Sequence, residues 1–274
     1  MAEAKGHVRV IILVIASHDE VYDHMAGLWR RYMHGSKDVL SLFVYSDPTL
    51  QQDVELRGDC LYHRSEESHR PGIFCKSTAA LVYCEMHYSY DYIFRTNLSS
   101  CVILPRLLNY LDKAPPRRFC AATLYRLPDG PAGDVSRIMV RQYLGKGSSF
   151  HFIFLHGAGI LLSRDVVQRY IQEIVSPDVR LYILAALPDD VSISLVLYRF
   201  LTLTDRQDHP IEFVSLERMT CNRLLPESDY APLKPDVFHL RNRVDDSTYE
   251  NNTLERRRID LTNYERQVDY FYRL

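Results

Sequence analysis

The chain of 274 residues carries 33 basic and 35 acidic side chains, a formal charge of −2, and is 46% hydrophobic and 25% charged. That length suits one large α/β domain, and the balanced charge argues against a global attraction to nucleic acid or to an anionic membrane. The cysteines, Cys60, Cys75, Cys84, Cys101, Cys120 and Cys221, form no Cys-x-x-Cys pair and no Cys/His cluster at zinc spacing, so isolated reduced thiols and a cytoplasmic working place are expected. Nineteen tyrosines stand against a single tryptophan, a bias that serves sugar- or base-stacking surfaces and ordinary half-buried cores alike.

Val8–Ala16 is a β-branched apolar run of about nine residues, far below the roughly 20 that span a bilayer. It reads as the central strand of a parallel sheet buried on both faces. Ser17-His-Asp-Glu20 supplies capping groups for a helix over Val21–Met33. A second strand, Val39–Tyr45, ends in the polar turn Ser46-Asp47-Pro48. Ligands of open α/β sheets bind beyond the carboxyl ends of strands, which makes Ala16, Ser17 and Asp47 candidates for the same crevice.

Cys60–His63 reads as a short strand, Gly72–Tyr90 as a turn and helix, and Asp91–Arg95 as a core strand. A helix is expected over Val102–Leu111, ending before Pro115-Pro116, and a strand over Phe119–Tyr125. Leu127–Gly133 and Gly145–Ser149 read as loops. Phe150–Leu155 is apolar, Gly157-Ala-Gly159 is expected to turn the backbone, and Ile160-Leu-Leu resumes a strand before Ser163 caps Val166–Ile174. Pro188-Asp189-Asp190 opens a helix over Val191–Phe200, and the last strand is placed at about Ile211–Ser215. From Val237 onward the chain turns polar and basic, Glu255-Arg-Arg-Arg258 reading as a solvated helix face or a phosphate-facing rim.

No Gly-x-Gly-x-x-Gly follows the first strand and no Gly-x-x-x-x-Gly-Lys-Ser/Thr occurs, which weakens dinucleotide enzymes and P-loop NTPases. Hydrolase templates fare no better, since neither a Gly-x-Ser-x-Gly elbow nor a His-Glu-x-x-His helix is present.

Several segments taken in order carry a resemblance. Asp91-Tyr-Ile-Phe-Arg-Thr-Asn-Leu-Ser-Ser100 resembles a strand followed by an acidic motif, with Asn97-Leu98-Ser99 where the acids would stand. Gly157-Ala-Gly-Ile-Leu-Leu-Ser163 is similar to a Gly-x-Gly-x-x-x-Ser segment, Asp189-Asp-Val191 to a Glu-Asp-Val motif, and Val237-Phe-His-Leu-Arg-Asn-Arg243 to a late histidine with a basic segment. Together they resemble the GT-A glycosyltransferases that use nucleotide sugars, in particular inverting enzymes of the β-1,3-galactosyl and Fringe type. Compact versions from large DNA viruses of algae and amoebae, chlorovirus xylosyltransferase-like proteins among them, are the nearest in style. The resemblance covers roughly residues 8 to 243 and rests on order and spacing rather than on any one motif.

It implies a single Rossmann-like α/β domain with a mixed, mostly parallel sheet flanked by helices. Residues 1–115 would form the donor half, 116–243 the acceptor and catalytic half, and 244–274 a polar C-terminal segment. Sugar transfer needs a base for the acceptor hydroxyl and cationic stabilisation of a departing diphosphate. The resemblance places Asp190 at the base position with Asp189 as second choice, whereas Pro-Asp-Asp serves equally as a helix cap. Thr96, Asn97, Ser99 and His239 fall on its donor segments. Asn97 and Ser99 are poor ligands for a hard cation, so metal-independent donor binding, with no cofactor required, is expected. Arg241 and Arg243, aided by Lys76 and Arg95, would face the phosphates, or else Arg241 and Arg243 belong to a solvated face. Gly157 and Gly159 would admit sugar hydroxyls or merely connect strands, and His156 would meet the acceptor or play a structural part.

The reading is therefore an inverting glycosyltransferase that passes a sugar, xylose by the viral resemblance, from a UDP-sugar to a hydroxyl of a glycan or glycoprotein acceptor. It would act without nucleic acid or membrane insertion, in the host cytoplasm if the protein is viral. A non-catalytic nucleotide- or glycan-binding module is the alternative. A magnesium-dependent nucleotidyltransferase comes third.

Overall fold

Strand β1 (His7–Ile15) lies between β2 (Val39–Ser46) and β5 (Ser89–Asn97) and runs parallel to both. The computed structural model describes residues 6–127, 131–146, 152–177, 179–202, 211–244 and 253–273. Val10 through Val14 are wholly inaccessible, as an unbroken apolar run demands when helices cover both faces of a sheet. Alternation along the strand then divides the core. Ile11, Leu13 and Ile15 face one apolar cluster, and Val10, Ile12 and Val14 face the other.

The remaining strands of the main sheet are β3 (Val54–Arg57), β4 (Cys60–His63), β7 (Phe119–Arg126), β8 (Ile153–Ser163) and β9 (Glu212–Ser215). The eight strands run in the order β3-β4-β2-β1-β5-β8-β7-β9. β8 is antiparallel to β5 and β7, and β3 to β4; the other pairings are parallel. This is the mixed, mostly parallel sheet expected.

One face is covered by α2 (Gly72–His87), α4 (Pro131–Leu144), α5 (Arg164–Ile174), α6 (Leu181–Ala185) and α7 (Asp189–Thr202). The other carries α1 (Glu20–Tyr32), α3 (Leu104–Leu111) and α8 (Thr253–Tyr272). Asp19 caps α1 by accepting from the Tyr22 amide at 2.9 Å. Ser163 stands at the head of α5, but its hydroxyl goes to Asp165 and to the Phe119 carbonyl rather than to a helix amide.

Several expectations are corrected. Gly157 and Gly159 make no turn: β8 passes straight through them, and the absent Cβ atoms serve close packing instead. The helix expected from Val102 begins at Leu104, and Val102 instead ends β6 (Ser100–Val102). That strand pairs antiparallel with β11 (His239–Asn242), which is itself parallel to β10 (Met219–Cys221). β9 is thus not the last strand; β6, β10 and β11 are short and lie in polar stretches, so little in their local pattern marks them. β3 went unread for the same reason, with Gly58 at φ +61° closing a two-residue hairpin loop between Arg57 and Cys60. Pro131–Gly133, read as loop, begin α4. Residues 128–130 and 147–149 of the expected loops lie outside the described residues. All six cysteines are free thiols, and among the described residues no helix is long and apolar enough to cross a membrane.

Candidate active site

The carboxyl ends of β1 and β5 meet the first half of β8 at one edge of the sheet, where Thr96 registers with Gly159. Three adjoining cavities open there. One of about 150 Å³ is bordered by Ala16, Ser17, Lys76, Asn97 and Ser99. A second, of about 620 Å³, holds Asp190, His156 and Gly157. The third, of about 540 Å³, lies toward β10 and β11 and includes Arg218, Thr220 and Asn222. Arg241 borders all three.

The aspartate pair opens α7, where the first-turn amides favour negative charge. The two carboxylates have different surroundings. Asp189 is 7% exposed and is engaged by Arg95 Nη2 at 2.5 Å and by Ser77 Oγ at 3.1 Å. Arg95, buried as well, also donates to the Gly157 carbonyl. Both partners of this ion pair are thus held inside the protein. Asp190 borders the central cavity together with Asp189 and Arg95, but its own carboxylate meets amides: Oδ2 accepts from the Gly157 amide at 2.9 Å and Oδ1 from the Val191 amide at 2.8 Å. Burial, then the charge of Asp189, raises its pKa to about 6, while the Gly157 amide and Arg95 hold it down. A carboxylate poised there is ionised at neutral pH and more basic than an ordinary aspartate.

The glycines of β8 have a packing reason. A Cβ on Gly157 would lie 2.9 Å from Asp190 Cβ, and one on Gly159 would lie 2.7 Å from His239 Cε1 and 3.0 Å from Phe94 Cζ. Both contacts are tighter than side chains tolerate, so the strand approaches α7 and His239 only because these residues are glycine.

Asn97 and Ser99 make a contact that only the fold creates. β6 and β11 pair with Arg241 opposite Ser100, and the Asn242 amide donates to the Ser99 carbonyl at 2.8 Å. Arg241 Nη1 thereby donates to both Asn97 Oδ1 and Ser99 Oγ. Among the described residues Arg241 makes no ion pair; its anchors are neutral. Burial, then Arg243 and Arg218, push its pKa down to about 9, which leaves it cationic at neutral pH. A cation held by neutral oxygens beside a cavity is a receptor for an anion.

Other expected site residues are placed differently. Lys76 borders the smallest cavity but is 1% exposed, and its ammonium donates to the Ala16 carbonyl at 2.7 Å and to both Glu67 carboxylate oxygens. Its charge is compensated internally, as is that of Arg95, so neither is a free phosphate ligand. Asp47 accepts from the Thr49 amide and hydroxyl and faces Arg57; it closes its own turn and borders none of the three cavities. Thr96 is fully buried and donates to the Ala158 carbonyl, tying β5 to β8. Asp189 is the partner of Arg95 rather than a second base. His239 is fully buried beneath Gly159, edge-on to Phe94, with no hydrogen bond on either ring nitrogen. Burial and the nearby arginines hold it well below the ordinary histidine pKa, so it is neutral and does not reach the cavities.

These residues do not fit a divalent cation. Asn97 and Ser99 hold a guanidinium, which would repel the ion, and among the described residues no group of three or more His, Cys, Asp or Glu is arranged to bind one.

His156 does border the central cavity. Its Nδ1 accepts from Arg218 Nη1 at 2.7 Å and from the Ala158 amide at 3.2 Å. Burial, then Arg218, pushes its pKa to about 3, so the ring is neutral and carries its proton on Nε2. Arg218, Tyr125, Tyr22, His69 and Arg70 also border these cavities and were missed in sequence. An isolated arginine, tyrosine or histidine in a polar stretch carries no signal; the fold brings Tyr125 from the end of β7, Arg218 from just before β10, Tyr22 from α1, and His69 and Arg70 from the segment before α2.

No family model matches the chain, and no curated protein matches it. Among solved structures it is similar to "galacosyltransferase LgtC in complex with donor and acceptor sugar analogs", at 10% identity and a TM-score of 0.47 over 94% of this chain and 96% of that one. It is also similar to a glycosyltransferase involved in the glycosylation of the major capsid of PBCV-1, at 10% identity and a TM-score of 0.44 over 94% of this chain and 99% of that one.

Proposed function

We propose that the protein is an inverting glycosyltransferase of the GT-A type, using a UDP-sugar and a glycan hydroxyl without a metal ion. The observation that carries this reading is that Asp190 and Arg241 border the same cavity of about 620 Å³. A base and a fixed cation are the two groups that displacement of a nucleoside diphosphate requires. In the proposed reaction the acceptor oxygen attacks the anomeric carbon and loses its proton to Asp190. The bond from that carbon to the β-phosphate oxygen breaks, and the diphosphate departs with its charge against Arg241 and Arg243. Ala16 and Ser17, at the carboxyl end of β1 in the smallest cavity, take the nucleoside side. His156 and Gly157 lie on the acceptor side. UDP and xylose follow the sequence resemblance and are the first donor pair to test.

The test is thermal stabilisation by nucleoside diphosphates and UDP-sugars in EDTA, because a ligand that binds only the native state raises its melting temperature. Stabilisation by UDP or a UDP-sugar in EDTA supports the reading, whereas no shift with any nucleotide, with or without manganese, removes it.

A further inference from the structure

We infer that the acceptor carries an anionic group, a carboxylate or a phosphate, and that Arg218 receives it. This deepens the transferase reading and rests on it for the word acceptor; the anion site itself rests on the third cavity.

That cavity, about 540 Å³, is lined by Tyr125, His156, Arg218, Thr220, Asn222, Arg241, Arg243 and Val244, with no Asp or Glu among the described residues around it. Arg218, Arg241 and Arg243 all border it, and the carboxylate behind this wall, Asp260, accepts from the Val244 amide at 2.8 Å and acts on Arg241 and Arg243, which leaves Arg218 as the guanidinium held by neutral contacts. Arg218 is half-buried; it donates to the neutral His156 and lies 5.7 Å from the Tyr125 ring centroid. Its contacts orient it without cancelling its charge. Arg241, which also borders the cavity, is held by Asn97 and Ser99. Thr220 and Asn222 flank the cavity with neutral hydrogen-bonding groups of the kind that meet sugar hydroxyls.

Position separates this anion from the donor's diphosphate. Arg241 and Arg243 also border the central cavity, where the proposed diphosphate departs, while Arg218 borders only the third of the three cavities and donates to His156, which shares the central cavity with Asp190. In an inverting displacement the base and the acceptor approach from the face opposite the leaving group. The Arg218 side is therefore where the acceptor enters. Arg218 would select a uronic-acid-bearing or phosphorylated glycan over a neutral one, since only an anion makes a charge-assisted contact to it.

The experiment measures binding of methyl β-glucuronide, glucose 6-phosphate and methyl β-glucoside to the full chain by ligand-observed NMR, with and without UDP. It is repeated with Arg218→Gln and Arg218→Lys, and the dissociation constant of UDP is followed in parallel. The expected result is that at least one anionic sugar binds about tenfold more tightly than the neutral glycoside, the scale of a charge-assisted hydrogen bond. Arg218→Gln abolishes this preference, Arg218→Lys keeps part of it, and UDP affinity changes less than about twofold. Preference for the glucuronide identifies a carboxylate site, and preference for the phosphate a phosphate site. Should Arg218→Gln fail to fold, loss of the preference in wild-type protein at high salt supports the inference and a salt-independent preference overturns it. Equal binding of charged and neutral sugars overturns it as well, as does an Arg218→Gln variant that loses UDP in step with the sugar. An anion preference in a protein that binds no nucleotide would keep this site and remove the transferase reading.

Discussion

Arg241 donates from one nitrogen to both Asn97 and Ser99, so the polar end of β5 positions a cation instead of gathering anions. Replacing both residues by aspartate (Asn97→Asp with Ser99→Asp) turns neutral anchors into ion-pair partners and cancels the charge that faces the cavities. The expected outcome is a loss of UDP affinity of about tenfold or more in EDTA, measured by calorimetry, because charge-assisted contacts to the diphosphate are worth about 1.5–3 kcal/mol.

Asp190 has to be ionised to accept a proton, and its native pKa is raised to about 6. The rate should therefore be full above that pH and fall about tenfold per unit below it, read as kcat/KM against pH. Asp190→Asn should cut turnover by about 10²–10⁴ while UDP still binds. A non-catalytic binding module would show no turnover to lose and no acid limb. The sign for stability is opposite to that for rate. The native pKa lies above the unfolded value of about 3.9, so the contribution of this carboxyl is fully present below that value and is lost as pH rises through about 6. Comparison of wild type and Asp190→Asn by urea denaturation across that range checks it.

Arg95 and Asp189 form an ion pair whose side chains are 6% and 9% exposed. Arg95→Ala leaves Asp189 charged, buried and without its main partner, at a cost of about 3–5 kcal/mol in urea denaturation. Arg95 also lowers the pKa of Asp190. Its removal should move the acid limb of any activity that survives to higher pH, a shift that simple destabilisation would not produce.

Gly159→Ala places a methyl group 2.7 Å from the ring of His239. The strand and the ring cannot both keep their places, and overpacking of this kind costs about 1–3 kcal/mol. Gly157→Ala pushes on Asp190 Cβ at 2.9 Å and should lower turnover more than it lowers the melting temperature. Side-by-side melting curves and rates separate the two effects.

Much of the frame was legible in the chain. β1, β2 and β5 announce themselves because strands buried on both faces must be continuously apolar, and Asp19 and Asp189 mark the starts of helices because orphan amides need acceptors there. β3, β6, β10 and β11 were not legible although β4 and β9, equally short, were read: their three or four residues mix polar and apolar types inside polar stretches, and only pairing across the fold makes them strands. Gly157 and Gly159 looked like a turn because glycine signals close backbone approach without saying what approaches.

The sequence by itself determined a two-faced α/β sheet with Asp190 at a helix start and Asn97 and Ser99 at a strand end. These are local properties of hydrophobic period, capping and composition. Only the tertiary structure decided which charges remain available for a ligand. Lys76 is matched by Glu67, Arg95 by Asp189 and Asp47 by its own turn, while Arg241 and Arg218 are anchored by neutral groups. A charge is compensated by whatever lies within a few ångströms in space, and such a partner can stand far off in the chain, as Asp189 does 94 positions from Arg95.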